Sequence, residues 1–160
     1  ITPDATAPAP QPATQARPEV LRVMLNRPSK SPAAVMDHFV ALFKIIGSPA
    51  YPTPREELIA ATHRSLARGM SPTGLAHHLM AILATGGFAH RLPKVQAPTL
   101  ILHGDADPLV RVQGGAMSAE LIPKARLRVI RGMGHDFPAQ LVPTLASAIR
   151  SHLTHADATA

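Results

Sequence analysis

The chain has no cysteine. That excludes a disulfide framework, a thiolate-bound zinc and a cysteine nucleophile, and it leaves the redox compartment open. Aromatic residues are almost as scarce, with no tryptophan, one tyrosine and four phenylalanines in 160 residues. A surface for single-stranded nucleic acid uses such rings as stacking platforms, so nucleic acid is not an expected partner despite a formal net charge of +6. The 16 lysines and arginines are scattered rather than gathered into a run, and they read as solvated surface. Long apolar runs are also missing. The longest strongly apolar window, Leu79 to Ala84, falls far short of the roughly 20 residues that a membrane helix needs, so no membrane span is expected. No basic-then-apolar signal opens the chain, and a cytoplasmic location is expected. Residue 1 is Ile rather than Met, from which processing or truncation is expected.

What is present suffices for one ordinary core, since 46% of the residues are hydrophobic. Proline is unevenly spread: residues 1–18, ITPDATAPAPQPATQARP, hold five and show no apolar periodicity, which predicts an extended Ala/Pro-rich connector. Helical spacing follows from residue 19 to about 90. A short helix over 19–27 would group Val20, Leu21, Met24 and Leu25 until Pro28 stops it. Over 32–46, Val35, Phe39, Leu42, Phe43 and Ile46 share a face that excludes Asp37, His38 and Lys44. Thr53-Pro54-Arg55-Glu56 reads as a capping box ahead of Leu58, Ile59, Thr62 and Leu66. Ser71-Pro72 reads as the start of a helix burying Leu75, Leu79, Ile82 and Leu83 before Gly86-Gly87.

The pattern then changes. Pro98-Thr99-Leu100-Ile101-Leu102-His103-Gly104 is a short, continuously apolar strand ending in glycine, of the kind covered on both faces. A helix over about 113–122 follows, and then Arg126-Leu127-Arg128-Val129-Ile130, an outer strand with one wetter face. A final helix over 138–152 should bury Leu141, Leu145 and Ile149. Strand, helix and strand in this order imply a parallel sheet of the α/β class, and two parallel strands cannot bury their own faces. More strands than these are therefore expected.

Loops at the carboxyl ends of parallel strands are where chemistry collects. Two qualify here, His103 to Val110 and Gly132 to Asp136. Asp107 and His135 lie 28 residues apart, one strand-helix-strand step, which should bring the loops side by side. An imidazole oriented by a carboxylate can take a proton from a hydroxyl or water, so Asp107 and His135 are the candidate catalytic residues. Met133 and Leu109, close to them in sequence, are the candidate substrate contacts. Asp105 is expected to serve the turn, and His103 to support the loop. His77-His78 point about 100° apart on a helix and make a poor chelate, while His63, His90, His152 and His155 lack ligand spacing, so neither metal nor cofactor is expected.

The stretch Ala97-Pro98-Thr99-Leu100-Ile101-Leu102-His103-Gly104-Asp105-Ala106-Asp107-Pro108-Leu109-Val110, followed by Gly132-Met133-Gly134-His135, resembles the C-terminal part of the α/β-hydrolase superfamily. The resemblance implies that Asp107 and His135 complete a triad on a small-molecule substrate. It also implies a helical cap over 19–90 and the C-terminal part of the hydrolase core over 91–156. The whole is similar to esterases of the anthracycline methyl-ester hydrolase group, and carboxylic esters or related carbonyl compounds are the implied substrates. No G-x-S-x-G occurs; Gly69-Met70-Ser71-Pro72-Thr73-Gly74 has the wrong spacing for a nucleophile elbow. The nucleophile, Ser or the Asp used by dehalogenases and epoxide hydrolases, is then expected upstream in a missing N-terminal half. The alternative is a catalytically silent fragment or partner-binding module that pairs with a separate chain.

Overall fold

A computed structural model describes residues 16–26 and 28–157. The expected connector therefore lies almost wholly outside the described residues. The described chain begins with four helices: α1 (Pro18–Leu25), α2 (Pro32–Ile46), α3 (Arg55–Ala67) and α4 (Pro72–Thr85). A 3₁₀ segment, Ala89–Lys94, leads to strand β1 (Leu100–Gly104), helix α5 (Val112–Leu121), strand β2 (Arg126–Ile130), a 3₁₀ turn at Ala139–Leu141 and helix α6 (Val142–Asp157). No described helix is long and apolar enough to cross a membrane.

Local chemistry explains most of the boundaries. The Ser31 hydroxyl accepts from the Ala34 amide and the Ser71 hydroxyl from the Gly74 amide, each ahead of a proline in the first turn, where its missing N–H costs nothing. Thr53 does not cap α3 as the sequence suggested. Pro54, with ψ 145°, is itself the last non-helical residue, and the helix starts one position later with Glu56 and Glu57 facing the positive end of its dipole.

Two clusters form the interior among the described residues. Val20, Phe39, Leu42 and Ile46 join α1 to α2, with Leu66, Met70, Leu75 and Leu109 packed around them. Phe39 is 1% exposed, and burying such a side chain contributes about 2 kcal/mol. His38 departs from expectation. It is buried beside Phe39, ring centroids 5.3 Å apart, and burial holds its pKa below the ordinary value. A neutral imidazole serves there as an apolar body. On α4 the expected face is only partly covered, since Ile82 is exposed along with Met80.

The second cluster is Ile130, Met133, Leu141 and Leu145, with Tyr51 and Leu102 against it. Ile149 is exposed rather than buried, because the helical turn carries Ala148, three residues beyond Leu145, into the interior instead. Strands β1 and β2 are parallel and in register from Leu100 opposite Arg126 to Gly104 opposite Ile130. Leu100 to His103 are only half-buried, against the expectation of cover on both faces, because α5 and α6 pack against a sheet that is two strands wide among the described residues.

Candidate active site

The parallel register ends both strands on one edge, so the loops after Gly104 and Ile130 emerge together. They are then stitched to each other. The Asp105 amide donates to the Ile130 carbonyl, the Ala106 amide to the Met133 carbonyl, and Asp105 Oδ1 accepts from the Gly132 amide at 2.6 Å. Asp105 thus serves the turn and ties it to the second loop. Gly104 permits this approach, since a Cβ there would stand 2.0 Å from the Met133 carbonyl oxygen.

Within the first loop Asp107 turns its carboxylate inward. Oδ1 accepts from the amides of Leu109 at 2.8 Å and Val110 at 2.9 Å, the Asx geometry that fixes a short polar side chain. Its other oxygen accepts from His135 Nδ1 at 2.8 Å. The side chain of Asp107 is 6% exposed and that of His135 40%, so the pair runs from the interior to the surface. Among the described residues Nε2 of His135 has no hydrogen-bond partner. With Nδ1 donating to the carboxylate, Nε2 is the nitrogen free to accept a proton.

His103 supports the loop from the other side. Its Nε2 donates to the Val110 carbonyl at 2.7 Å and lies 3.9 Å from Asp107 Oδ2, while Gly115 of α5 leaves room for the ring.

The electrostatics follow from these contacts. Burial pushes the Asp107 pKa up, but the hydrogen bonds from His135 and Val110, the charge of His135 and the Leu109 amide outweigh it and hold the carboxyl below its ordinary value. The hydrogen bond to Asp107 raises the His135 pKa, burial opposes it, and the charges of Asp107 and Asp136 add to the rise.

The second loop has a further set of anchors that no local pattern announces. The His135 amide donates to the Ile46 carbonyl at 2.7 Å, satisfying an acceptor at the end of α2 that the helix itself cannot use. The Gly134 amide donates to the Ser48 hydroxyl at 2.9 Å, Ser48 in turn donates to Asp136 Oδ1, and the Ala50 amide donates to the Gly132 carbonyl. Ser48 and Asp136 are 88 positions apart and share no motif, so nothing in one sequence links them. A Cβ on Gly134 would stand 2.3 Å from the Gly47 carbonyl oxygen and 2.5 Å from that of Ile46. Because those are backbone atoms, Gly134→Ala should destabilise the fold by about 3 kcal/mol, measurable by denaturant unfolding.

Neither Met133 nor Leu109, the two expected substrate contacts, lines the cavity beside the loops. Met133 is 4% exposed and belongs to the core beside Ile130 and Leu141, because its carbonyl rather than its side chain faces the first loop. Leu109 is half-buried against the α1–α2 cluster. A cavity of about 550 Å³ does open beside the loops, between the end of α2, the 47–53 segment and the start of α3. Ala106, Pro108 and Asp136 line it with the charged side chains of Arg17, Lys44 and Arg55. Among the described residues no cluster of three or more His, Asp or Glu is arranged to hold a metal.

Comparison with known proteins shows the fold family of the chain. Residues 34–139 match the model of the alpha/beta hydrolase fold family. The chain is 26% identical over 137 residues to the rhodomycin D methylesterase of Streptomyces peucetius, covering 82% of this chain and 44% of that protein. It is 34% identical over 99 residues to a poly(3-hydroxyalkanoate) depolymerase of Ectopseudomonas oleovorans, covering 62% and 34%. A thermophilic esterase from Thermogutta terrifontis superposes with a TM-score of 0.62 at 22% identity, over 90% of this chain and 53% of the esterase, which is a likeness of fold. The chain spans less than half the length of the two sequence relatives. With the family match covering both loops and both parallel strands, the chain belongs to the α/β-hydrolase fold family.

Proposed function

We propose that this chain supplies the acid and the base of a carboxylic-ester hydrolase whose nucleophile, oxyanion-binding amides and remaining strands come from sequence upstream of it. The observation that carries the reading is the 2.8 Å bond from His135 Nδ1 to a buried carboxylate, with Nε2 left unpaired. In this reading the upstream hydroxyl gives its proton to Nε2 as it attacks the ester carbonyl, and Asp107 stabilises the imidazolium that forms. The imidazolium then protonates the departing alkoxide, and the acyl group passes to water by the same steps in reverse. Residues 19–90 would cover the pocket as a cap. The similarity to a methylesterase and a polyester depolymerase favours esters over other carbonyl compounds.

Turnover of a p-nitrophenyl ester by the intact protein, absent in His135→Ala, is the expected result. The 160-residue chain alone should give only background hydrolysis, because no described hydroxyl partners Nε2. Histidine-dependent turnover by this chain alone would contradict the assignment of the nucleophile to upstream sequence.

The pH dependence has a definite sign. His135 acts as a base only when neutral, and its contacts raise its pKa above the ordinary 6.5. kcat/KM should therefore fall on the acid side through a single ionisation above pH 6.5, seen in a rate profile of the intact enzyme. An acid limb below that value would mean that the bond to Asp107 does not persist in the free enzyme.

A further inference from the structure

We propose that Ser48 and Asp136 are positioning residues that clasp the His135 loop onto the end of α2, so that helix and imidazole keep one fixed relation. The inference rests on the reading of His135 as the general base and extends it to how that base is held.

Ser48 is 3% exposed, and a hydroxyl so deeply buried is costly unless its hydrogen bonds are made. It makes two, and both go to the neighbours of His135: it accepts from the Gly134 amide and donates to the Asp136 carboxylate. The residue between them, His135, gives its own amide to the Ile46 carbonyl. Three successive residues of the loop are thus gripped from α2 and the two positions after it. Anchoring alone would have been met by the backbone bonds at His135 and Gly132. The Ser48–Asp136 bond adds a charge-assisted link, and with it a negative charge next to the imidazole.

Several charged and titratable groups share that space. Asp107 meets the imidazole directly, and His103 lies 3.9 Å beyond it on the same carboxylate oxygen. Lys44, Arg17, Arg55 and Glu19 line the cavity onto which Asp136 faces. Among these, the charges of Asp107 and Asp136 raise the His135 pKa. The clasp therefore acts on both the direction of the ring and its affinity for a proton.

The test uses the intact enzyme with Ser48→Ala, Ser48→Thr and Asp136→Asn, reading kcat, KM, thermal midpoint and the NMR titration of His135. Ser48→Ala should lower kcat by about 10- to 100-fold through loss of alignment, with KM little changed, and Ser48→Thr should recover part of the loss. Asp136→Asn keeps an acceptor for Ser48 but removes the charge. It should move both the His135 titration and the acid limb of kcat/KM to lower pH. Unchanged kcat, titration and acid limb in these variants would overturn the proposal, and so would a fall in thermal midpoint alone, which a merely structural contact would give. Full activity in His135→Ala would overturn the reading of His135 as the base, and the clasp with it.

Discussion

Replacing His135 with alanine should lower kcat for an ester substrate of the intact enzyme by about 10⁵- to 10⁶-fold, the loss typical when a triad base is removed. The reason is positional. Nε2 is the atom left open by the bond from Nδ1 to Asp107, and His103 is committed to the Val110 carbonyl and cannot stand in. KM should change little, because the imidazole acts on the reacting atoms rather than on the rest of the substrate. Steady-state kinetics checks both halves of this expectation, and a loss in KM with kcat preserved would assign His135 to binding instead.

The second large effect is expected from Asp107→Asn, a loss in kcat of about 10³- to 10⁴-fold in a protein that still folds. The amide oxygen of asparagine can go on accepting from Leu109 and Val110, so the loop should survive. Its amide nitrogen, however, would face Nδ1 as a donor. The ring would then present an acceptor to residue 107 and hold its proton on Nε2, the wrong tautomer for a base. Asp105→Asn makes the contrast, since its oxygen can still accept the hydrogen bond from the Gly132 amide, and the bond from His135 goes to Asp107 instead. Most activity should remain. Equal losses from the two variants would mean that the acid has been misassigned.

The sequence made the strand-helix-strand step over residues 100–130 readable because each element there has a local cause. An apolar strand ending in Gly104, a basic-apolar strand and the intervening helix force a parallel step, and a parallel step places residues 107 and 135 at one edge. Local rules failed where packing decided. His38 is polar by type but adjoins Phe39 beneath the helical surface, and Ala148 displaces Ile149 because the helix turns by more than a simple four-residue count allows. Pro54 took the boundary position that Thr53 was expected to hold. Ser48 and Asp136 were illegible for another reason. Each looks like an ordinary turn residue, and only the folded chain brings the end of α2 under the histidine loop.

A double-mutant cycle on kcat in the intact enzyme tests most directly whether Asp107 acts through His135. If it does, Asp107→Asn should cost almost nothing once His135→Ala has been made, because there is no ring left to orient. If the two losses multiply instead, the carboxylate and the imidazole work independently, and the bond between them is not the centre of the site.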